Sequence, residues 1–266
     1  MKMDGTSKRK LSKRKDPELA LTYYKAEGYP VEAVYEYIMT ILNSNYEDWR
    51  RANPYAPATE FKFSYKKMNP AGSLFDVAKL RDVSKNVISV MDADTVYKYV
   101  AAWAEEYDAD FAKVFTADPE FSTAILAIGR GGKKPRKDIA IWSEVKDYAG
   151  FFFDEYFAVT DSYPETFDKA DIVAALEAFK ESFDTNDDSN AWFDKIKAIA
   201  DSLGFASDMK AYKNDPTAFK GSVADISMFL RIAVTGRLNS PDMYSVMQLL
   251  GKERVFARID AICKTL

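Results

Sequence analysis

Apolar side chains in this chain recur at intervals of three and four residues, and this spacing limits the fold more than any other feature of the sequence. In residues 92–107 they form a single stripe, which consists of Val96, Tyr99, Val100, Trp103 and Tyr107. That spacing is typical of an amphipathic helix. Residues 222–235 show the same pattern between Ser222, a candidate N-cap, and Gly236, a candidate stop. Because alternating polar and apolar residues are scarce, the sequence predicts a mainly α fold.

The remaining helices are predicted from the same spacing and from Gly and Pro residues that separate the segments. Ser240 and Pro241 begin a helix that Gly251 ends, and a last helix follows over residues 252–264. Further helices are predicted at residues 16–26, 30–42, 74–82, 118–127, 138–157, 170–183 and 190–203. Residues 60–65 alternate and predict a short strand.

The composition excludes several kinds of site. The 266 residues include no histidine and one cysteine, Cys263, which excludes a disulfide framework, a Cys/His zinc site and Ser-His-Asp or Cys-His catalysis. The pattern Asp-x-Asn-x-Asp at residues 184–188 begins like a calcium loop, but Ser189 and Lys195 stand where Gly and Glu are needed. We therefore expect no metal site. No apolar run approaches the roughly 20 residues of a membrane span, so a cytoplasmic protein is predicted.

Charge is distributed unevenly along the chain although the net charge is only −4. Residues 1–15 hold seven bases and one acid, residues 154–225 hold sixteen acids and seven bases, and residues 226–266 hold six bases and three acids. The N-terminal bases come largely from Ser-Lys-Arg-Lys, present at residues 7–10 and again at 12–15. Such a run is either a solvated tail or a phosphate-binding segment.

A second basic segment lies at residues 128–138. Three glycines make it too irregular for a helix interior, and its five cations are Arg130, Lys133, Lys134, Arg136 and Lys137. One interpretation is an exposed loop between helices with solvated side chains. The other is an RNA-binding loop, in which lysines contact phosphates, an arginine hydrogen-bonds a base edge and glycines allow close backbone approach.

Residues 10–17, Lys-Leu-Ser-Lys-Arg-Lys-Asp-Pro, resemble the Lys-Met-Ser-Lys-Ser signature of class I aminoacyl-tRNA synthetases, in the form that bacterial-type glutamyl-tRNA synthetases often use. Other segments resemble that family in the family's order: Gly-Tyr-Pro-Val-Glu-Ala at 28–33, Phe-Asp-x-x-Lys-Leu at 75–80, Leu-Arg-x-Ala-x-Thr-Gly at 230–236, Ser-Pro at 240–241 and Leu-Gly-x-Glu at 250–253 with Arg258. The chain thus resembles the C-terminal part of such a synthetase, from the signature loop through the anticodon-binding domain.

The resemblance implies a loop whose cations contact the phosphates of ATP and neutralise charge on the pyrophosphate leaving group. Lys13 would be the phosphate-contacting lysine, in a loop with Lys10, Ser12 and Arg14. The parent enzyme would use ATP with magnesium. The histidine-containing nucleotide motif of the family is absent, so the catalytic set is incomplete and the rest of the active site is expected on a missing N-terminal half. We expect the chain alone to bind no cofactor and to aminoacylate no tRNA.

The resemblance also implies that a set of basic residues binds tRNA: Lys79, Arg130, Lys133, Lys134, Arg136, Lys137, Arg231, Arg237 and Arg258. Either Arg130 or Arg136 would read an anticodon base. The three arginines near the C-terminus would either contact phosphates of the anticodon loop or cap helix carbonyls.

A stem-contact subdomain over residues 1–90 and two helical anticodon-binding bundles over 91–165 and 166–266 are implied as well, with an all-helical C-terminal region. The expected partners are tRNA-Glu and the catalytic domain, with neither membrane nor DNA among them. Two other hypotheses stay open from the sequence. One is a free-standing helical adaptor or nucleic-acid-binding protein without synthetase activity. The other is an independent enzyme that uses a carboxylate pair such as Asp154 and Glu155.

Overall fold

A computed structural model describes residues 1–4, 6–68 and 73–266 of the chain. This described part is mainly helical, which confirms the predicted fold class. Its one sheet is a two-stranded antiparallel hairpin of β1 (Lys2–Asp4) and β2 (Ser7–Arg9). None of the described helices is both long and apolar enough to cross a membrane.

The chain divides into two compact units, Met1–Tyr148 and Ala149–Leu266. The finer division into residues 1–90, 91–165 and 166–266 stays a prediction. Each unit has its own core.

The first unit contains the hairpin and the helices α1 (Leu21–Glu27), α2 (Val31–Leu42), α3 (Tyr46–Ala52), α4 (Val77–Val90), α5 (Ala93–Tyr107), α6 (Ala109–Phe115) and α7 (Pro119–Ala127). Helices α2 and α4 pack against each other because Tyr37 and Leu80 bury completely between them. The Tyr37 hydroxyl accepts a hydrogen bond from the Asp76 amide at 2.6 Å, which satisfies a buried oxygen. Asp76 also accepts from two amides in the first turn of α4, so one residue joins both helices.

Helix α8 (Val145–Ala149) spans the boundary, and the second unit then contains α9 (Lys169–Ser182), α10 (Ser189–Leu203), α11 (Met209–Asn214), α12 (Val223–Thr235) and α13 (Met243–Cys263). The bundle formed by α9, α10, α12 and α13 encloses Leu176, Ile196, Ile226 and Ile259, each fully buried. Ser222 caps the start of α12 and Gly236 in the left-handed conformation ends it, as the sequence predicts, and Asp225 completes a capping box with Ser222.

Helix α13 is two helices joined at Gly251, whose φ of 76° and ψ of 161° interrupt the helical backbone. This confirms the predicted helix end at that glycine. The helices predicted at 30–42, 92–107, 118–127, 170–183 and 190–203 are also present within about two residues of their predicted ends. Helix α4 runs longer than predicted, while residues 17–19 form a separate 3-10 turn before α1.

Two predictions of secondary structure are wrong. Residues 60–65 form no strand; 3-10 turns at Ala58–Glu60 and Tyr65–Lys67 flank an extended stretch, from which Phe61 packs into a cluster with Met39 and Tyr46. Residues 138–157 form no single helix, because α8 lies between 3-10 turns at Trp142–Glu144 and Gly150–Phe152. Nearly every apolar side chain from Ile139 to Phe153 is buried, and one helix face cannot bury consecutive residues.

Candidate nucleic-acid interface

The N-terminal signature loop ends in a tight turn that leaves its cations exposed. The carbonyl oxygen of Ser12 accepts hydrogen bonds from the amides of Lys15 at 3.0 Å and Asp16 at 2.8 Å. The side chains of Lys10, Lys13 and Arg14 are exposed to solvent. Exposed ammonium and guanidinium groups on a short turn are suited to contact phosphate oxygens.

A buried carboxylate holds this turn to the rest of the first unit. Asp16 is 1% exposed and accepts hydrogen bonds from both terminal nitrogens of Arg9, at 2.6 and 2.7 Å, and from the Ser12 amide at 2.7 Å. The hydrogen bonds from Arg9 hold the pKa of Asp16 well below its usual range. Lys2 lies against Asp16 at 3.5 Å and also pairs with the buried carboxylate of Glu18. The hairpin and the signature loop are therefore linked by charge.

The second basic segment is an exposed loop after α7. Gly129 and Gly131 have φ values of 72° and 73°, a backbone conformation that residues other than glycine rarely adopt. Lys133, Lys134 and Lys137 are exposed to solvent. Arg136 pairs with Asp138 at 2.6 Å, and its aliphatic carbons lie where a side chain on Gly129 would otherwise be.

Arg130 has a different environment from the lysines that follow it. Its guanidinium donates to the carbonyl oxygens of Ile88 at 2.6 Å, Leu126 at 2.8 Å and Met91 at 3.2 Å, at the ends of α4 and α7. Partial burial lowers its pKa. Of the two arginines predicted to read a base, Arg130 caps helix carbonyls and Arg136 is exposed.

Lys79 is the remaining predicted tRNA contact of the first unit. It lies in the first turn of α4 and forms an ion pair with Glu47 on α3. Lys79 and Lys137 line the same groove, so the structure brings together one predicted residue from α4 and one from the basic loop. Arg51 and Tyr55 line that groove too. Neither residue is predicted from the sequence, although Arg-Arg-Ala-Asn-Pro-Tyr at residues 50–55 could have marked an exposed segment.

The three arginines predicted in the second unit occupy unlike positions. Arg231 is half-buried and donates to the Ser240 hydroxyl at 3.2 Å, and Arg237 is half-buried just after α12. Arg258 is 5% exposed and donates to the carbonyl oxygen of Val234 at 2.7 Å, while its guanidinium lies 3.8 Å from the centre of the Phe157 ring. Burial lowers the pKa of Arg258 to about 10, so it stays charged at neutral pH. Of its two predicted roles, the contacts of Arg258 correspond to capping.

The carboxylates of the acidic loop before α10 accept hydrogen bonds that form a turn and cap the start of that helix. Asp188 accepts from two amides at the start of α10, Asp184 accepts from the Asn186 amide, and Asp187 pairs with Lys195 at 2.5 Å. Across residues 1–4, 6–68 and 73–266, no three acidic or thiol groups are clustered as metal ligands would be.

Comparison with known proteins agrees with these features. A family model described as an anticodon binding domain matches residues 134–263. The chain is 45% identical over 262 residues to a glutamate–tRNA ligase of Acetivibrio thermocellus, a match that covers 98% of this chain and 48% of that protein. It is 43% identical over 263 residues to the glutamate–tRNA ligase of Clostridium perfringens strain 13, and that match covers 97% of this chain and 48% of that protein. The chain therefore spans about half the length of the curated relatives it matches.

A solved glutamate–tRNA ligase from Elizabethkingia meningosepticum shares the fold at a TM-score of 0.63 and 19% identity, covering all of this chain and 50% of that one. The family match defines residues 134–263 as an anticodon-binding domain. Nearly the whole chain is similar to glutamate–tRNA ligases, and the part of those proteins that it matches is their C-terminal half.

Proposed function

We propose that this chain is the tRNA-binding portion of a glutamate–tRNA ligase, which binds tRNA-Glu and, joined to a catalytic N-terminal half, attaches glutamate to it with ATP in the cytoplasm. The observation that carries the proposal is the exposed loop of Lys133, Lys134 and Lys137 at the start of the anticodon-binding match. Lysines on an irregular, glycine-containing loop can follow a phosphate backbone, which supplies most of the affinity in RNA binding.

The charge distribution supports an RNA interface confined to particular surfaces. The chain as a whole carries −4, so it has no general attraction for polyanions. Sixteen acids between residues 154 and 225 would repel RNA from that part of the second unit. Binding should therefore use the basic loop of the first unit and Arg231 or Arg237 of the second. Arg258 and Arg130 would not contact the RNA; they would stabilise the interface by donating hydrogen bonds to carbonyl oxygens at helix ends.

The signature loop fits the role of contacting ATP phosphates. Lys10, Lys13 and Arg14 are exposed, and the Ser12 turn is fixed by the Asp16 anchor. When bound in the complete enzyme, ATP with magnesium supplies the pyrophosphate leaving group. This chain would contribute the cations that neutralise it, and Asp16 would hold those cations on one turn.

The proposal is tested by filter binding of tRNA-Glu to the purified chain over a series of salt concentrations. We expect the logarithm of the binding constant to fall linearly with the logarithm of salt, by about 0.7 to 0.9 per phosphate contact. A DNA duplex of similar length serves as the control and should bind at least about tenfold more weakly. Equal binding of DNA and tRNA, or no binding at low salt, would overturn the proposal.

A further inference from the structure

A groove of about 850 Å³ lies within the first unit, between α3 and the loop after it on one side and α4 on the other. The basic loop forms one end of it through Pro135 and Lys137. We call it the α3–α4 groove. Its volume is within the range of sites that bind small molecules, about 300 to 1,000 Å³.

One wall of the α3–α4 groove presents an aromatic ring. Tyr55 lines the groove and is 74% exposed. The neighbouring aromatic residues are occupied, because Tyr46 and Trp49 pack against Phe61. An exposed ring beside a basic loop offers a flat surface on which a nucleobase can stack, as every base has a π-face.

The opposite wall presents two polar side chains from α4. Asp82 and Asn86 are four residues apart, so they lie on one face of the helix, and both line the groove and are exposed. Neither side chain has a hydrogen-bond partner within residues 1–4, 6–68 and 73–266. A carboxylate and an amide one turn apart provide acceptors and donors that suit the Watson–Crick edge of a base.

Two of the carboxylates along the groove are paired with cations, and two further cations lie exposed at its rim. Glu36 pairs with Arg50 at 2.6 Å and Glu47 pairs with Lys79, so these carboxylates are neutralised by their partners. Lys137 is exposed on the basic loop, and the Arg51 side chain is 75% exposed and pairs with the exposed side chain of Asp48. Both can reach a phosphate, since exposed ion pairs are weak and easily exchanged.

We propose that the α3–α4 groove accepts one unpaired nucleotide of the bound tRNA, with its base on Tyr55, its Watson–Crick edge at Asp82 and Asn86, and its phosphate at Lys137 or Arg51. This inference rests on the proposed function, since the groove continues from the basic loop assigned to RNA. It adds a base-specific contact in the first unit, outside most of the anticodon-binding match.

The test compares Tyr55→Ala with Tyr65→Ala, which removes an 85% exposed tyrosine outside the groove. Because stacking on an aromatic ring is a substantial part of single-nucleotide binding, we expect Tyr55→Ala to weaken tRNA-Glu binding about tenfold. The slope of binding against salt should not change, since the substitution removes no charge. Tyr65→Ala should bind like the parent chain. Equal far-UV and near-UV circular dichroism would show that both variants fold.

Base-specific chemical probing of the tRNA supplies a second readout. We expect one or two nucleotides that the parent chain protects to become reactive with Tyr55→Ala and with Asn86→Ala, while the rest of the protected region is unchanged. If the parent chain binds tRNA but both folded variants keep its affinity and its pattern of protection, the groove proposal is overturned and the proposed function stands. If the parent chain fails to bind tRNA, the proposed function fails first.

Discussion

The guanidinium of Arg9 donates two hydrogen bonds to the carboxylate of Asp16, at 2.6 and 2.7 Å, and so joins strand β2 to the end of the signature loop. Paired geometry of this kind fixes both groups in orientation as well as in distance. Since the Ser12 amide donates to the same carboxylate, the turn that carries Lys13 is positioned from inside the first unit.

The first prediction follows from the low pKa of Asp16. A carboxylate whose pKa is lower in the folded state stabilises the fold above its unfolded pKa of about 3.9, and that stabilisation is lost as pH falls below this value. We expect Asp16→Asn to lower the urea midpoint of the first unit at pH 7. The difference from the parent chain should shrink between about pH 4 and pH 2. Asp48→Asn, which breaks an exposed pair with Arg51, is the control and should change little.

The second prediction separates two arginines of α13 that share one partner. Both Arg254 and Arg258 lie 3.3 Å from Asp154, but only Arg258 is buried and donates to the Val234 carbonyl. Arg258→Ala should therefore destabilise the second unit by about 3 kcal/mol, because it leaves a buried acceptor unsatisfied and removes a packed cation. Arg254→Ala should cost less than about 1 kcal/mol. Chemical denaturation of both variants measures the difference, and equal losses of stability would contradict the assigned role of Arg258.

The third prediction concerns two glycines with nearly the same φ. A side chain on Gly236 would lie 2.1 Å from the Ala158 carbonyl oxygen, whereas one on Gly251 would meet no atom of the described residues within 4 Å. Gly251→Ala should cost about 1 to 3 kcal/mol through backbone strain alone. Gly236→Ala should lower the free energy of unfolding clearly more, because the clash with the Ala158 carbonyl oxygen adds to the backbone strain. Thermal unfolding of both variants checks the order, and a milder effect at Gly236 would show that the chain there can shift.

The fourth prediction tests the basic loop by charge. Lys133→Ala with Lys134→Ala should weaken tRNA binding and reduce the salt slope by about 0.7 to 0.9 for each lysine that binds a phosphate in the parent chain. Lys210→Ala with Lys213→Ala removes two exposed lysines from the acidic second unit and is the matched control. If both double variants weaken binding equally, net charge rather than the loop determines affinity.

Local signals predicted most helices of this fold. Ser222 begins α12, and Gly236 and Gly251 end helices, where the sequence places them, because caps and left-handed glycines act within one turn. The single helix predicted at residues 138–157 is wrong because the apolar side chains there are buried by several elements at once. The hairpin β1–β2 has no alternating apolar pattern, and it is held instead by charge between Lys2, Arg9 and the buried acids.

The candidate site was predicted less completely than the fold. The exposure of Lys133 and Lys134 follows from glycines and charge in their own segment. The contacts of Arg130 and Arg258 do not follow from their own segments. Each arginine binds a carbonyl oxygen of another helix, and only the tertiary fold brings that helix close. Tyr55 and Asn86 lie 31 positions apart, and only the packing of α3 and α4 against α2 places them on one groove.

The most direct test of the account is whether the chain distinguishes the anticodon. Competition binding should compare a tRNA-Glu transcript with the same transcript carrying a different anticodon, at one salt concentration. We expect the exchanged anticodon to weaken binding at least about tenfold, the effect of removing one good base contact, with an unchanged salt slope. Equal affinity for the two transcripts would contradict recognition of tRNA-Glu by this chain and leave only binding to the phosphate backbone.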